Sequence, residues 1–321
     1  MPPFKQPRVA RVISTLDRVH PLQSPEAVHA IERAASAYHG RPWQASGFTK
    51  LDDLASHPCG LFPGEAFSVF AKLGDGEQFR AELLGLDLLR RHVPVPSAIA
   101  SGITETSSGA VLLLEAIPEI PAAARTEQHW RSIGTALATL HDVQAETFGN
   151  AAFDGFFGPL PQDNRPVASG TWADFYAERR LVPRLREAVD EGNLPADLAS
   201  GVEHLIRRLP SLGGPDPRPS LLHGDAQQNN WLTTGTEAVL IDTAPYFGHP
   251  EIDLALLDYF EPIPAVVFEA YRERREIDAG FAERRELWRL HGYLAVIAVD
   301  GASAFGRQFV GRLADAVKAY R

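Results

Sequence analysis

The sequence predicts an α+β protein in two lobes, a small antiparallel-sheet lobe followed by a larger, mainly helical one. Three observations carry this. Alternating or short apolar segments suited to strands, at residues 67–73, 99–102 and 110–114, fall in the first third of the chain. From Thr126 onward most segments repeat at the helical period instead. One turn-rich stretch, residues 221–255, interrupts the helices with LLHGDAQQNNWLTTGTEAVLIDTAPYFGHPEIDLA.

Taken in order, residues 1–22 are proline-dotted and basic, without a period, and read as an N-terminal arm. Ser24-Pro25-Glu26 is a helix start, serine as N-cap and proline at the first helical position. Val28, Ile31, Ala34 and Ala35 form its apolar stripe up to Tyr38, before Gly40. Residues 23–117 make the N-lobe. A strand is expected over 43–51 and another over 67–73, where Phe67, Val69, Ala71 and Leu73 alternate with Ser68, Phe70 and Lys72. Residues 52–64 between them read as a loop. A helix underway by Phe79 places Glu82 ten residues after Lys72. A strand lysine followed by a helix glutamate is the pair that serves the nucleotide phosphates in protein kinases; Glu77 is the weaker alternative partner. Val93-Pro94-Val95-Pro96 ends the helix. After two more strands, Leu112-Leu113-Leu114-Glu115-Ala116-Ile117-Pro118 reads as the connector to the C-lobe, residues 118–321.

The C-lobe opens with a helix from Thr126 to His141, whose histidine reads as a core or helix-end residue. Residues 148–169, rich in Gly, Pro and Asn, read as a long loop, a feature that is usually functional. The helix over 171–191 should turn Trp172, Phe175, Tyr176, Leu181, Leu185 and Val189 inward. Its arginines 179, 180, 184 and 186 should be solvated or paired with glutamates. Further helices are expected over 195–209, 251–260, 264–274, 280–300 and 303–320.

The chemistry concentrates in residues 221–255. His223-Gly224-Asp225 is followed by Asn230 at the step that separates catalytic aspartate from metal-binding asparagine in protein-kinase catalytic loops. A hairpin turning near Gly235 and Thr236 would return Asp242 opposite Asn230. An amide oxygen and a carboxylate would then converge on Mg2+, with phosphate oxygens completing its shell. Asp225 would orient an incoming hydroxyl and take its proton, while Asn230 and Asp242 hold the magnesium of ATP. Phosphoryl transfer needs positioning and charge neutralisation more than reactive groups. Asp253 should brace the backbone of the catalytic loop.

These motifs resemble the aminoglycoside-phosphotransferase and choline-kinase superfamily, and within it the fructosamine (ketosamine) kinase family. The closer likeness lies in Leu240-Ile241-Asp242 through Tyr246-Phe247-Gly248-His249 to Asp253-Leu254-Ala255. It continues in Gly155-Phe156-Phe157-Gly158, Leu160-Pro161-Gln162-Asp163-Asn164, Trp172-Ala173-Asp174-Phe175-Tyr176 and Glu178-Arg179-Arg180-Leu181. It covers about residues 45–320. The resemblance implies a protein-kinase-like fold and ATP-dependent phosphorylation of a sugar hydroxyl on a ketoamine. It also implies that the loop containing Ser56 and His57 covers the nucleotide phosphates, although it carries no GxGxxG. By the same resemblance, backbone groups near Glu115 and Ile117 would pair with adenine. Two segments, 156–164 and 246–249, should face the acceptor. Asp163, Asn164, Tyr246, His249 and Glu251 are the candidate acceptor residues, with Asp163 or Glu251 meeting a substrate amine.

The family's usual loop, His-Gly-Asp-Leu-Trp-Ser-Gly-Asn, is departed from: Ala226, Gln227, Gln228 and Asn229 occupy the variable positions. Thr243 stands where the family has proline after the metal aspartate. Two alternatives therefore stand beside the ketoamine reading. One is phosphorylation of an aminoglycoside or another aminated natural product. The other is a nucleotide-binding pseudokinase, which retention of Asp225 together with Asn230 and Asp242 disfavours.

Composition narrows the partners. With 41 acidic against 31 basic residues, the net charge of −10 argues against a nucleic-acid surface. No apolar run approaches the ~20 residues of a membrane span, and the first residues hold no secretory h-region. One cysteine, Cys59, excludes an intrachain disulfide and a cysteine-rich zinc site. The expectation is a cytoplasmic enzyme, monomeric or weakly dimeric, whose partner is a small amine-bearing molecule rather than nucleic acid or membrane.

Overall fold

The computed structural model describes residues 19–52 and 55–321; residues 1–18 of the arm expected over 1–22 lie outside them. The chain forms two compact units. One contains residues 19–133 together with Asn230–Thr243, and the other contains Gly134–Asn229 with Ala244–Arg321.

The first unit is built on a five-stranded antiparallel sheet in the order β1-β2-β3-β5-β4. Its strands are β1 (Thr49–Lys50), β2 (Cys59–Phe62), β3 (Val69–Gly74), β4 (Ala98–Thr106) and β5 (Gly109–Glu115). Helix α1 (Pro25–His39) starts as its sequence dictates: the Ser24 side chain accepts from Ala27 N, and Gly40 closes it at φ 72°. Ile31 and Ala35 of α1 enter one core with Leu22, Trp43, Phe62, Val69, Ala71, Val111 and Leu113. Leu22 is fully buried behind a short 3-10 turn, so the last residues assigned to the arm are docked. Helix α2 (Gly76–Leu89) is N-capped by Asp75 and packs Phe79 and Leu86 against Ala110, Leu112 and Leu114.

Two expectations for this unit are corrected. The strand predicted over 43–51 shrinks to Thr49–Lys50, and the loop predicted over 52–64 contains β2. Gly60 explains why β2 escaped notice. Glycine weakens a strand pattern, yet here a Cβ would lie 2.5 Å from the Phe48 ring and 2.6 Å from the Thr49 carbonyl. The close pairing of β1 on β2 needs the missing side chain.

Residues 118–133 and the hairpin Trp231–Thr234/Glu237–Leu240 also group with the sheet, whereas the sequence boundary fell at residue 117. Backbone bonds explain the grouping: Leu240 N donates to Pro94 O, and Ile120 N to Thr233 O.

The second unit is mainly helical. Its larger helices are Ala196–Leu212, Phe281–Asp300 and Ala304–Ala319. The long loop over 148–169 holds a small hairpin, Gly155–Phe157 with Leu160–Gln162. The predicted helix over 171–191 is Trp172–Tyr176, a π-helical turn Ala177–Leu181, and Val182–Asp190. Here the arginine expectation fails for Arg180, which is fully buried; Arg184 is buried too but keeps the expected glutamate, Glu187 at 2.8 Å, and Val189, expected to face inward, is 44% exposed. The buried positions 172, 176, 180, 184 and 188 form an unbroken row of fours. In a regular α-helix each such step advances by ~40°, so the row would leave the core; the wider π-turn takes up part of that drift.

Candidate active site

Two constellations result, one in each unit. In the sheet unit the hairpin pairs Leu240 with Trp231, and Ile241 N then donates to Asn230 O at 3.1 Å. Ile241 therefore stands opposite Asn230, and Asp242 follows one residue beyond the place the spacing predicted for it. Asp242 sits at φ 50°, a left-handed conformation that aspartate tolerates better than bulkier residues. Its carboxylate accepts from Lys72 Nζ at 2.7 Å, and the same ammonium donates to both oxygens of Glu82, at 3.1 and 2.9 Å. The lysine–glutamate pair read from the strand–helix spacing is thus formed with Glu82, whereas Glu77, in the first turn of α2, donates its backbone N–H to the capping Asp75 carboxylate at 2.8 Å. Lys72 is buried. Burial opposes its charge, but the Asp242 and Glu82 carboxylates outweigh burial and hold its pKa above the usual lysine value.

Ser56 and His57 close the edge of this cluster. Ser56 Oγ bonds His57 Nδ1 at 2.9 Å, and His57 Nε2 bonds Gln78 Oε1 at 3.1 Å. Burial, and then the nearby Lys72 charge, push the His57 pKa down, which favours the neutral ring. Sequence reasoning missed Gln78; its place one helical turn before Glu82 was the available signal. Glu115 accepts from Tyr38 Oη at 2.9 Å, and its own amide donates to Ser97 O. An adenine pairing at Glu115 therefore cannot use that N–H. Ile117 follows just beyond the end of β5.

In the helical unit the loop His223-Gly224-Asp225 is fixed by one carboxylate. Asp253, fully buried, accepts from His223 N at 2.7 Å, Gly224 N at 3.0 Å and His141 Nε2 at 3.1 Å. His141 is held in turn at Nδ1 by Tyr271 Oη, 2.9 Å away. Gly224 adopts φ 83°, and a Cβ there would stand 2.0 Å from Ala244 O, so no other residue fits. Asp225 is thereby presented on a rigid, partly exposed turn.

The candidate acceptor residues are less open than expected. Asp163 bonds Arg165 through both oxygens and lies 3.4 Å from Arg179, so the carboxylate assigned to a substrate amine already has two cations. Arg165 holds its pKa below the usual carboxylate range. Glu251 is corrected outright. It is buried, and it accepts from Arg284 and, at 2.6 Å, from Trp288 Nε1. His249 is buried between Trp172 and Trp288, and Asn164 and Tyr246 are buried as well. In this arrangement Asn164 accepts from Arg180, Tyr246 stacks under the same guanidinium, and His249 accepts from Glu251 N.

Asn230 and Asp242 fit magnesium by donor chemistry: hard oxygen donors, one charged, on adjacent strand ends. Among the described residues no group of three or more His, Cys, Asp or Glu is placed to hold a metal. A two-ligand site that relies on phosphate oxygens is consistent with this. No helix among the described residues is long and apolar enough to cross a membrane.

Comparison with known proteins places this geometry. The family model described as fructosamine kinase matches residues 28–319. The probable ketoamine kinase slr1563 of Synechocystis sp. is 31% identical over 284 residues, 85% of this chain and 92% of that protein. The probable ketoamine kinase PM0587 of Pasteurella multocida is 32% identical over 229 residues, 70% of this chain and 76% of that one. A solved structure from Thermobifida fusca, provisionally named fructosamine-3-kinase, superposes with a TM-score of 0.75 at 31% identity, covering 91% of this chain and 99% of that one. The aminoglycoside phosphotransferase APH(4)-Ia superposes at 0.64 with 18% identity, over 90% of this chain and 99% of that one, a likeness of fold alone.

Proposed function

Because this chain belongs to the fructosamine kinase family, and so is a phosphotransferase with an alcohol group as acceptor, we propose that it transfers the γ-phosphoryl group of ATP to a sugar hydroxyl of a ketoamine. The observation that carries the reading is the Lys72 ammonium held between Glu82 and Asp242, in a chain whose HGD loop is braced by Asp253. A binding-only protein has no use for a rigidly presented Asp225.

In this reading Lys72 binds nucleotide phosphates, and Glu82 keeps its ammonium aimed and charged. Asn230 and Asp242 would hold magnesium, which neutralises charge on the phosphates when bound. Asp225 accepts a hydrogen bond from the attacking hydroxyl and takes its proton as the new P–O bond forms and the bond from the γ-phosphorus to the bridging oxygen breaks, ADP leaving. Asp253 contributes by fixing the backbone of His223 and Gly224, just before Asp225, rather than by touching substrate.

The names of the relatives support a ketoamine acceptor. One observation favours keeping the aminoglycoside-type reading in the test. Residues 226–229 depart from the family loop, and Gln227 and Gln228 there are only partly buried. The experiment is a kinase assay with ATP and magnesium against a panel of fructosamines, aminoglycosides and free amino sugars. A fructosamine should give the highest kcat/KM. Turnover confined to aminoglycosides, or to none of the panel, overturns the ketoamine assignment.

A further inference from the structure

Arg180 is the feature of the helical unit that the roles above leave unused. It is fully buried and is in none of the ion pairs seen among the described residues; the Asp163 carboxylate acts on it only from a distance, being engaged by Arg165 and Arg179. Its charge is met by neutral groups instead. One terminal nitrogen donates to the Asp163 carbonyl at 2.7 Å and the Arg179 carbonyl at 3.0 Å; the other donates to Asn164 Oδ1 at 2.7 Å. The guanidinium lies over the Tyr246 ring, 4.0 Å from its centroid, and 4.9 Å from that of Phe175. Burial pushes its pKa down from the ordinary arginine value, yet arginine keeps its proton in such surroundings. A cation desolvated without an ion-pair partner is costly to maintain, and a neutral residue would fill a helix–loop contact more cheaply. What the guanidinium supplies is a planar fork with a stacking face, which joins two segments at fixed angles.

Those segments are informative. The fork holds the turn Asp163–Asn164 that closes the small hairpin Gly155–Gln162. Asn164 carries the hold further: its amide nitrogen donates to Asp154 Oδ1, and its Nδ2 to Phe153 O. The stacking face holds Tyr246, whose carbonyl accepts from Leu222 N at 2.9 Å, three residues before Asp225. The next residue, Phe247, pairs with Leu221 and exchanges backbone bonds with Gly149.

We infer that Arg180 is a positioning residue that sets the 153–164 hairpin in register with the strand carrying the HGD loop, and thereby shapes the acceptor side of the site. The inference rests on the proposed kinase reading for the word acceptor; the clamp itself does not. It acts on the acceptor alone, because the nucleotide residues Lys72, Glu82 and Asp242 belong to the other unit.

The test is Arg180→Lys, which keeps the charge and loses the fork and the stack. Val202→Ala, a core truncation in the helix Ala196–Leu212, serves as the control for general destabilisation. Arg180→Lys should raise the KM of the best acceptor by about tenfold, with kcat within about threefold and the ATP KM within about twofold. Amide hydrogen exchange across residues 153–165 should rise in Arg180→Lys and stay unchanged in Val202→Ala. If Arg180→Lys does not fold, Asn164→Ser carries the same test from the other end of the contact. Unchanged exchange in this segment overturns the clamp, whatever the enzyme phosphorylates. A parallel rise in the ATP KM, or an equal acceptor effect in Val202→Ala, overturns the positioning role. A wild-type enzyme without kinase activity would sink the proposed function instead, while the exchange result would still judge the clamp.

Discussion

The ammonium of Lys72 bridges two carboxylates, standing 2.7 Å from Asp242 Oδ1 and 2.9 Å from Glu82 Oε2. Two acids share one cation, and the exposures differ: the Glu82 side chain is 10% exposed and that of Asp242 50%. Glu82 is thus the fixed anchor and Asp242 the partner open to solvent. Glu82→Gln removes the anchoring charge, and hydrogen bonds to charged groups contribute ~1.5–3 kcal/mol. The KM for ATP should therefore rise about ten- to a hundredfold with the acceptor KM unchanged. Steady-state kinetics with each substrate varied in turn checks this; an unchanged ATP KM would detach the pair from nucleotide binding.

Asp242 and Asn230 should separate in a calorimetric titration with magnesium-ATP. Asp242→Ala removes a charged ligand and leaves Lys72 with Glu82 alone, so affinity should drop sharply together with turnover. Asn230→Ala removes a neutral ligand and should cost less. Equal affinity in wild type and Asp242→Ala would reject the metal assignment.

The hairpin, the Lys72–Glu82 pair and the Asp253 brace were legible in the sequence because each is a short-range pattern with a fixed geometric consequence. A two-residue turn returns Ile241 to Asn230 and so brings Asp242 within one residue of the predicted place, and a strand followed by a helix brings Lys72 to Glu82. The acceptor side was less legible. Asp163 and Glu251 look like available carboxylates in a polar loop, but their cations are Arg165, Arg179 and Arg284. Of these, Arg284 lies 33 residues from Glu251, beyond the reach of local pattern. Arg180 was hidden by a different cause. The sequence pattern assigns an arginine to a solvated or paired position, whereas the π-turn helps to keep the 172–188 row, Arg180 included, on the buried face.

Asp225→Asn preserves shape and removes the proton acceptor. Turnover should fall by at least about a thousandfold while the unfolding midpoint and ATP affinity stay near wild type. Differential scanning fluorimetry with and without ATP, run beside the assay, separates these quantities. Near-normal turnover would remove Asp225 from the mechanism.

Asp253 should behave oppositely, because its role is to hold backbone. Asp253→Ala strands the His223 and Gly224 amides and one nitrogen of His141 inside the protein. A buried donor left without its acceptor costs about 1–3 kcal/mol. The variant should lose both stability and kcat, in contrast to Asp225→Asn. Full stability in urea denaturation would show that the brace is dispensable.

The last prediction concerns acid. His249 is buried between Trp172 and Trp288, with Nδ1 accepting from Glu251 N at 3.1 Å. Burial, and after it the Arg284 charge, lower its pKa to about 3. Unfolded, the same ring titrates near ~6.5. Between those values the unfolded chain binds a proton that the folded one refuses, so the folded state loses stability as pH falls through 6.5 towards 3. The slope for one such histidine is about 1.4 kcal/mol per pH unit. His141 and His291, also buried and shifted down, act in the same direction. Urea midpoints measured from pH 7 to pH 5 should therefore decline steadily. His249→Asn retains an acceptor for Glu251 N and removes the titration, so its stability should start lower at pH 7 yet fall less steeply by about that slope. A variant whose stability falls as steeply as that of the wild type would show that His249 takes up its proton without unfolding.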